Sequence, residues 1–344
     1  MEFLSEYGIF LAKVVTIVLA IMFILAAAGE AALKNRKQER KELRVDKLND
    51  KLDDTLKELE DHILDKDTLK KQRKAEKKAQ KEQQKSGAVE DKKRVYVLSF
   101  DGDIKASAVD TFREAVTAVL AIARPDKDEV VVKLESPGGM VHGYGLAAAQ
   151  LDRIKHRNIP LTACVDKVAA SGGYMMACVA DKIVASPFAI MGSIGVVAQL
   201  PNFHRLLKKN DIDVEILTAG EYKRTLTMFG ENTEKGRRKF QEDLEDTHVL
   251  FKEYVSEHRP VVDIEKVANG DIWFGSRAKE VNLVDDLQTS DDYLMEACKS
   301  ADVYTVDVKE KQHLMDKLGA AVSSGVSRSI ERVFGDWRAS RGLS

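Results

Sequence analysis

A serine framed by small residues, Ala169-Ala170-Ser171-Gly172-Gly173-Tyr174, lies inside the apolar run Val168 to Ala180. Upstream stands a second glycine signature, Ser136-Pro137-Gly138-Gly139. A serine hydroxyl becomes a useful nucleophile when a base takes its proton. The oxyanion that follows needs hydrogen-bond donors aimed at it. The N–H of Gly172 fits one donor, because the backbone amide after a nucleophile at a helix start points into the site. Gly139 fits the second, since a residue without a side chain lets its backbone approach a substrate closely. Either glycine pair alone is an ordinary turn or a tight helix–sheet contact. Together, each between an expected strand and an expected helix, they point to acyl transfer.

The base is less defined by the residues alone. The histidines are His62, His142, His156, His204, His248, His258 and His313. Of these, His142 alone stands near a glycine loop, and it falls on the helix expected beyond it. A lysine can serve instead if it is held neutral. An unperturbed lysine near pKa 10.4 is about 0.04% neutral at pH 7. Burial in apolar surroundings must lower that pKa by about 3 units, at a cost of about 4 kcal/mol. Lys223, in Leu217-Thr218-Ala219-Gly220-Glu221-Tyr222-Lys223, meets the condition in part, with Glu221 and Arg224 as charged neighbours. Spacing leaves it competing with the reading of a surface lysine.

The elements that would position these residues alternate. Val95 to Phe100, Val130 to Leu134, Leu161 to Val165 and Lys182 to Ala185 read as strands. Ala106 to Ala123, Val141 to His156 and Ser171 to Val179 read as helices between them. That alternation predicts an α/β fold with a parallel sheet and helices on its faces. The apolar segment Phe188 to Leu200 contains Gly192 and Gly195 and ends at Pro201, so it is expected in the core rather than in a membrane.

The first residues differ in kind. Gly8 to Ala28 is a nearly continuous apolar run, long enough to cross a bilayer as a helix. A cleaved signal peptide is the rival reading, and Glu2 and Glu6 in place of basic residues argue against it. Lys34, Arg36, Lys37, Arg40 and Lys41 follow closely and place what comes after on the cytoplasmic side. Val45, Leu48, Leu52, Leu56, Leu59 and Ile63 recur at helical spacing, and residues 70–86 form a basic tether. The expected organisation is an anchor over 1–33, a charged helical stalk over 34–93, an α/β domain over 94–300 and a C-terminal extension over 301–344. That extension carries Leu314, Leu318, Val322, Val326, Ile330, Val333 and Trp337 at helical spacing, with arginines between them.

The 344 residues are 44% hydrophobic, enough for a sizeable core, and the formal net charge of -2 gives no support for a nucleic-acid partner. Cys164, Cys178 and Cys298 lack metal-ligand spacing and read as buried thiols rather than as a disulfide framework.

The set Ser136-Pro137-Gly138-Gly139, Ala170-Ser171-Gly172-Gly173-Tyr174, Gly192-Ser193-Ile194-Gly195-Val196 and Tyr222-Lys223 resembles the S49 family of serine peptidases, over roughly residues 94–300. The resemblance implies a ClpP/crotonase-like domain and a serine endopeptidase of the bacterial inner membrane. It makes Ser171 the nucleophile and Lys223 the general base. It makes Gly139 and Gly172 the oxyanion donors and Ser193 the hydroxyl that orients the lysine amine. The separation of 52 positions between Ser171 and Lys223 fits the short family members, with both residues in one domain. Met140 departs from the pattern where relatives carry another glycine. The implied partners are peptide or protein substrates, the lipid bilayer and further copies of the chain in a ring. No metal or organic cofactor is required. Several relatives work outside the cytoplasm, opposite to the side chosen by the charge rule. The competing classes are a crotonase-type acyl-CoA enzyme, which would use a carboxylate in place of Ser171 and Lys223, and a membrane scaffold with a vestigial site.

Overall fold

A computed structural model describes residues 41–65, 67–71, 73–74 and 91–310, together with Thr16. The apolar run 8–28 apart from Thr16, residues 75–86 of the tether 70–86 and the C-terminal stripe from Leu314 to Trp337 lie outside the described residues. Among the described residues, no helix is long and apolar enough to cross a membrane.

The chain begins with strand β1 (Lys41–Lys47) and helix α1 (Leu48–Ile63). Next come β2 (Arg94–Asp101), α2 (Val109–Leu120), β3 (Glu129–Glu135), α3 (Val141–Lys155) and β4 (Leu161–Val165). The middle of the chain supplies β5 (Val168–Ala170), α4 (Gly172–Ala177), β6 (Lys182–Ala185), β7 (Ile190–Gly192) and α5 (His204–Lys209). It continues through the long α6 (Glu234–His258), then α7 (Ile264–Val267), β8 (Ile272–Phe274) and α8 (Gly275–Glu280). It closes with β9 (Asp286–Leu287), α9 (Ser290–Ser300) and β10 (Asp302–Glu310).

Seven strands form the main sheet in the order β1-β10-β2-β3-β4-β6-β9. The ladders from β10 through β9 are all parallel, as the alternation of strands and helices requires. β3 (EVVVKLE) shows why: its valines are all fully buried, and a sheet covered on both faces takes a continuous apolar run. Alternate residues serve opposite faces. Tyr96, Leu98, Phe100, Val130, Val132 and Leu134 join the large core formed with α2, α3 and α4. Val95, Val97, Val131, Cys164 and Val184 pack on the other face against Leu294 of α9. Cys164 and Cys178 are buried as expected, and burial pushes the Cys164 thiol up to about 12, whereas Cys298 is only half-buried.

Two expectations need correction. The stalk is not helical throughout, because Lys41–Lys47 is a strand at the edge of the main sheet. Pairing with β10 overrides the helical spacing that seemed to include Val45, and the helix starts at Leu48. Its position is fixed by Asn49, whose amide donates to Cys298 O and Ala301 O and whose carbonyl accepts from Val303 N. The segment Phe188 to Leu200 is core only in its middle. Ala189, Met191 and Ile194 are buried, whereas Phe188 and Val197 are 83% and 91% exposed.

A smaller sheet, β5-β7-β8, stands beside the main one. β5 and β7 run parallel, and β8 is antiparallel to β7. Arg259, at the end of α6, locks this region. It is 4% exposed and bonds Asp285 through both terminal nitrogens, at 2.9 and 3.1 Å, and Asn282 O through Nε at 2.8 Å. Asp285 also accepts from Ile183 N at 2.7 Å, and Tyr174 of α4 donates to Leu283 O at 3.0 Å. Arg259→Ala strands the Asp285 carboxylate and the Asn282 carbonyl. We expect a loss of about 3 kcal/mol in urea unfolding, near the low end for a broken buried pair because Asp285 is partly solvated.

Candidate active site

Two loops meet at the carboxyl end of the central strands, where ligands bind in open parallel sheets. The first leaves β3 as Ser136-Pro137-Gly138-Gly139 and enters α3. The second is the single residue Ser171, between β5 and α4. They are stitched together directly. Ser136 N donates to Val168 O at 2.8 Å, and Ala170 N donates to Ser136 O at 3.0 Å.

Ser171 has φ 51° and ψ -120°. A side-chain-bearing residue there costs on the order of 1–3 kcal/mol, and such strain is held only where the surroundings enforce it. Here Ser171 N donates to Gly192 O at 2.7 Å, and Ser171 O accepts from Met175 N at 2.9 Å. The turn presents the hydroxyl at the strand end, the geometry of a nucleophile on a sharp strand-to-helix turn. Its side chain makes no capping bond to α4. Gly172, the first residue of α4, has no intrahelical acceptor for its N–H. Among the described residues, the Gly139 N–H has no acceptor either.

Gly138 explains the motif's other glycine. It has φ +88°, and a Cβ there would sit 2.7 Å from both Ala170 O and the Ser171 Cβ, and 2.8 Å from Gly172 N. Gly138→Ala is therefore expected to displace the Ser171 turn and lower kcat by about 100-fold or more, with circular dichroism unchanged. An alanine variant with wild-type kcat would show that this contact does not set the site.

Ser193 stands in register with Ser171. The ladder pairs Ala170 with Gly192, so the two serines follow matched positions on neighbouring strands, and both have φ 51°. Ser193 N donates to Asp271 O at 2.7 Å, and its hydroxyl reaches Gly270 O at 3.5 Å. His248 of α6 touches the carbonyl of the next residue, Ile194, at 3.2 Å.

Lys223 is not brought to this cluster by any contact. It is exposed, its N–H bonds Gly220 O at 3.2 Å, and among the described residues its amine has no hydrogen bond or ion pair. Its neighbours fasten the strip to α6: Glu221 pairs with Lys235, and the Tyr222 ring lies below Lys235 and Lys239. The surrounding segment exposes Leu206, Ile212, Ile216, Leu217 and Phe229. The structure thus joins Ser136–Gly139, Ser171, Gly172 and Ser193, and leaves Lys223 apart.

Sequence reasoning missed Tyr144 and gave Ser136 no role. Tyr144 is fully buried, with its hydroxyl 2.5 Å from Ser136 Oγ and 2.8 Å from Asp103 O. The neighbouring Gly143 marks a close approach to Lys105 and Ala106 but gives no sign of the hydroxyl's partners.

A strained serine at a strand-to-helix junction, backed by a glycine loop with open amides, is the constellation of a serine hydrolase. Two family models match the chain: Peptidase family S49 N-terminal over residues 2–151 and Peptidase family S49 over residues 153–304. The chain is 55% identical over 250 residues to Probable protease SohB of Haemophilus influenzae, covering 72% of this chain and 70% of that one. It is 50% identical to Probable protease SohB of Buchnera aphidicola subsp. Acyrthosiphon pisum, covering 71% and 72%. A solved structure of the 1510-N membrane-bound stomatin-specific protease in complex with a substrate peptide aligns with TM-score 0.41 at 14% identity, over 68% of this chain and 99% of that one. The chain belongs to peptidase family S49 and is a serine-type peptidase.

Proposed function

We propose a membrane-anchored endopeptidase with a ClpP/crotonase-like catalytic domain that cleaves peptide bonds through a Ser171–Lys223 dyad. Ser171 attacks the scissile carbonyl, Lys223 takes its proton, and the N–H groups of Gly139 and Gly172 hold the oxyanion. Lys223 then returns the proton to the leaving amine, and water releases the acyl group by the same route. Ser193 orients the lysine amine. The run 8–28 anchors the chain in the bacterial inner membrane, and the basic residues after it favour a cytoplasmic domain. Copies of the chain associate into a ring, which gives the exposed apolar residues around Lys223 a cover and the amine the dry surroundings that a neutral lysine requires.

The observation that carries this reading is the left-handed backbone of Ser171 packed against Gly138. Family membership favours the peptidase over an acyl-CoA enzyme or a scaffold. The test is labelling of the full chain in detergent with a fluorophosphonate, followed by peptide mapping. The expected result is a single adduct on Ser171, abolished by Ser171→Ala and slowed at least 100-fold by Lys223→Ala. An adduct elsewhere, or unchanged labelling of the Lys223 variant, overturns the dyad.

A further inference from the structure

The mechanism above uses neither Tyr144 nor Ser136, yet their hydroxyls form a buried hydrogen-bond chain beneath the site. The directions follow from counting hydrogens. Tyr144 has one, and it goes to Asp103 O at 2.8 Å. Ser136 then donates across the 2.5 Å contact to Tyr144 rather than across the longer 3.4 Å approach to Gly102 O. Ser136 Oγ in turn accepts from Gly138 N at 3.1 Å. The chain therefore runs one way, from the Gly138 amide through Ser136 and Tyr144 to the Asp103 carbonyl. Hydrogen bonds aligned in this way polarise one another in a low-dielectric interior. Burial pushes the Tyr144 phenol above its ordinary value, so its proton stays in place.

Both ends are anchored. Asp103 caps its own turn, accepting from Lys105 N, Ser107 N and Ser107 Oγ. The adjacent Ile104 O accepts from Met140 N at 2.8 Å, just beyond Gly139. Gly102 makes room for the pair, since a Cβ there would lie 2.4 Å from the Tyr144 hydroxyl and 2.5 Å from Ser136 Oγ. The Tyr144 ring has a second task. A Cβ on Gly172 would meet Tyr144 Cγ at 2.4 Å, so the ring sits flush against the backbone after the nucleophile. Phe100 holds the ring from another side, edge-on at 6.2 Å.

We propose that Tyr144 is a positioning residue for the oxyanion hole, its hydroxyl fixing the Ser136–Gly139 loop through Ser136 and its ring fixing Gly172. One side chain thereby sets the spacing between two donor segments that come from different strands. This rests on the assignment of Ser171 as nucleophile and of Gly139 and Gly172 as oxyanion donors.

Tyr144→Phe retains the ring and removes the hydroxyl. Ser136→Ala cuts the same chain at its other link, without touching the packing on Gly172. In the full-length protein in detergent, each is expected to lower kcat for a peptide substrate on the order of 10- to 100-fold, with KM within twofold. Affinity for a peptide boronate, which forms a tetrahedral adduct on the serine, should fall by the same factor as kcat. Affinity for the product peptide should not change. The double variant should lose no more than the larger single loss, because both substitutions break one chain. A folded Tyr144→Phe or Ser136→Ala protein with kcat within twofold of wild type, alongside an inactive Ser171→Ala, overturns the positioning role and leaves the peptidase reading intact. Equal losses of boronate and product binding also overturn it, since they indicate general loosening. Wild-type turnover by Ser171→Ala overturns the peptidase reading itself.

Discussion

Ser171→Ala should reduce kcat for peptide hydrolysis on the order of 10^4- to 10^6-fold, the loss seen when a serine peptidase is deprived of its nucleophile. The fold should not suffer, because the Ser171 side chain makes no capping bond and its strain lies in the backbone. Alanine keeps a Cβ and therefore keeps that strain, so its unfolding free energy in urea should match wild type within about 0.5 kcal/mol. Ser171→Gly goes further. It removes the steric penalty at φ 51° and should be equally inactive but more stable, by about 1 kcal/mol. Inactivity with increased stability identifies a site whose strain serves chemistry. A glycine variant less stable than wild type would place the strain elsewhere. Measurable wild-type turnover in Ser171→Ala would end the assignment.

The parts of this site that were legible in the sequence are those governed by local backbone rules. β3 and β5 lead into glycine-bearing turns, and the two motifs meet because parallel strands bring their carboxyl ends together. The pairing of Ser136 with Ala169 is the tertiary step that periodicity cannot supply. The same holds for Lys41–Lys47, whose residues carry no strong strand pattern and become a strand because β10, more than 250 residues later, offers an edge. The Tyr144 hydroxyl was invisible for a related reason. Its partners, Asp103 and Ser136, lie on separate loops, and only the packed fold brings them to one point. The exposed apolar residues between Val197 and Phe229 were hidden in the opposite sense, since an apolar residue in sequence reads as core. Their exposure leaves an apolar surface that the described residues do not cover.

Under the proposed dyad, Lys223 is where that surface and the chemistry meet. Lys223→Ala is expected to lower kcat about 10^4-fold, the upper range for loss of a general base. Lys223→Arg should be equally poor, because a guanidinium stays protonated and cannot accept the serine proton. The single chain leaves Lys223 exposed, whereas an amine acting as a base near neutral pH needs a dry, apolar site. If the proposed ring supplies that site, activity per chain should fall on dilution, in step with dissociation followed by light scattering. Replacing Leu217, 91% exposed and six positions before Lys223, with aspartate should shift both curves together to higher concentration. The fold should remain intact, because Leu217 contributes nothing to the core. If activity per chain stays constant while the assembly falls apart, Lys223 must be desolvated within one subunit, by a closing movement of the segment fastened to α6 through Glu221 and Lys235. The dilution curve therefore decides whether the base is made by the fold or by the assembly.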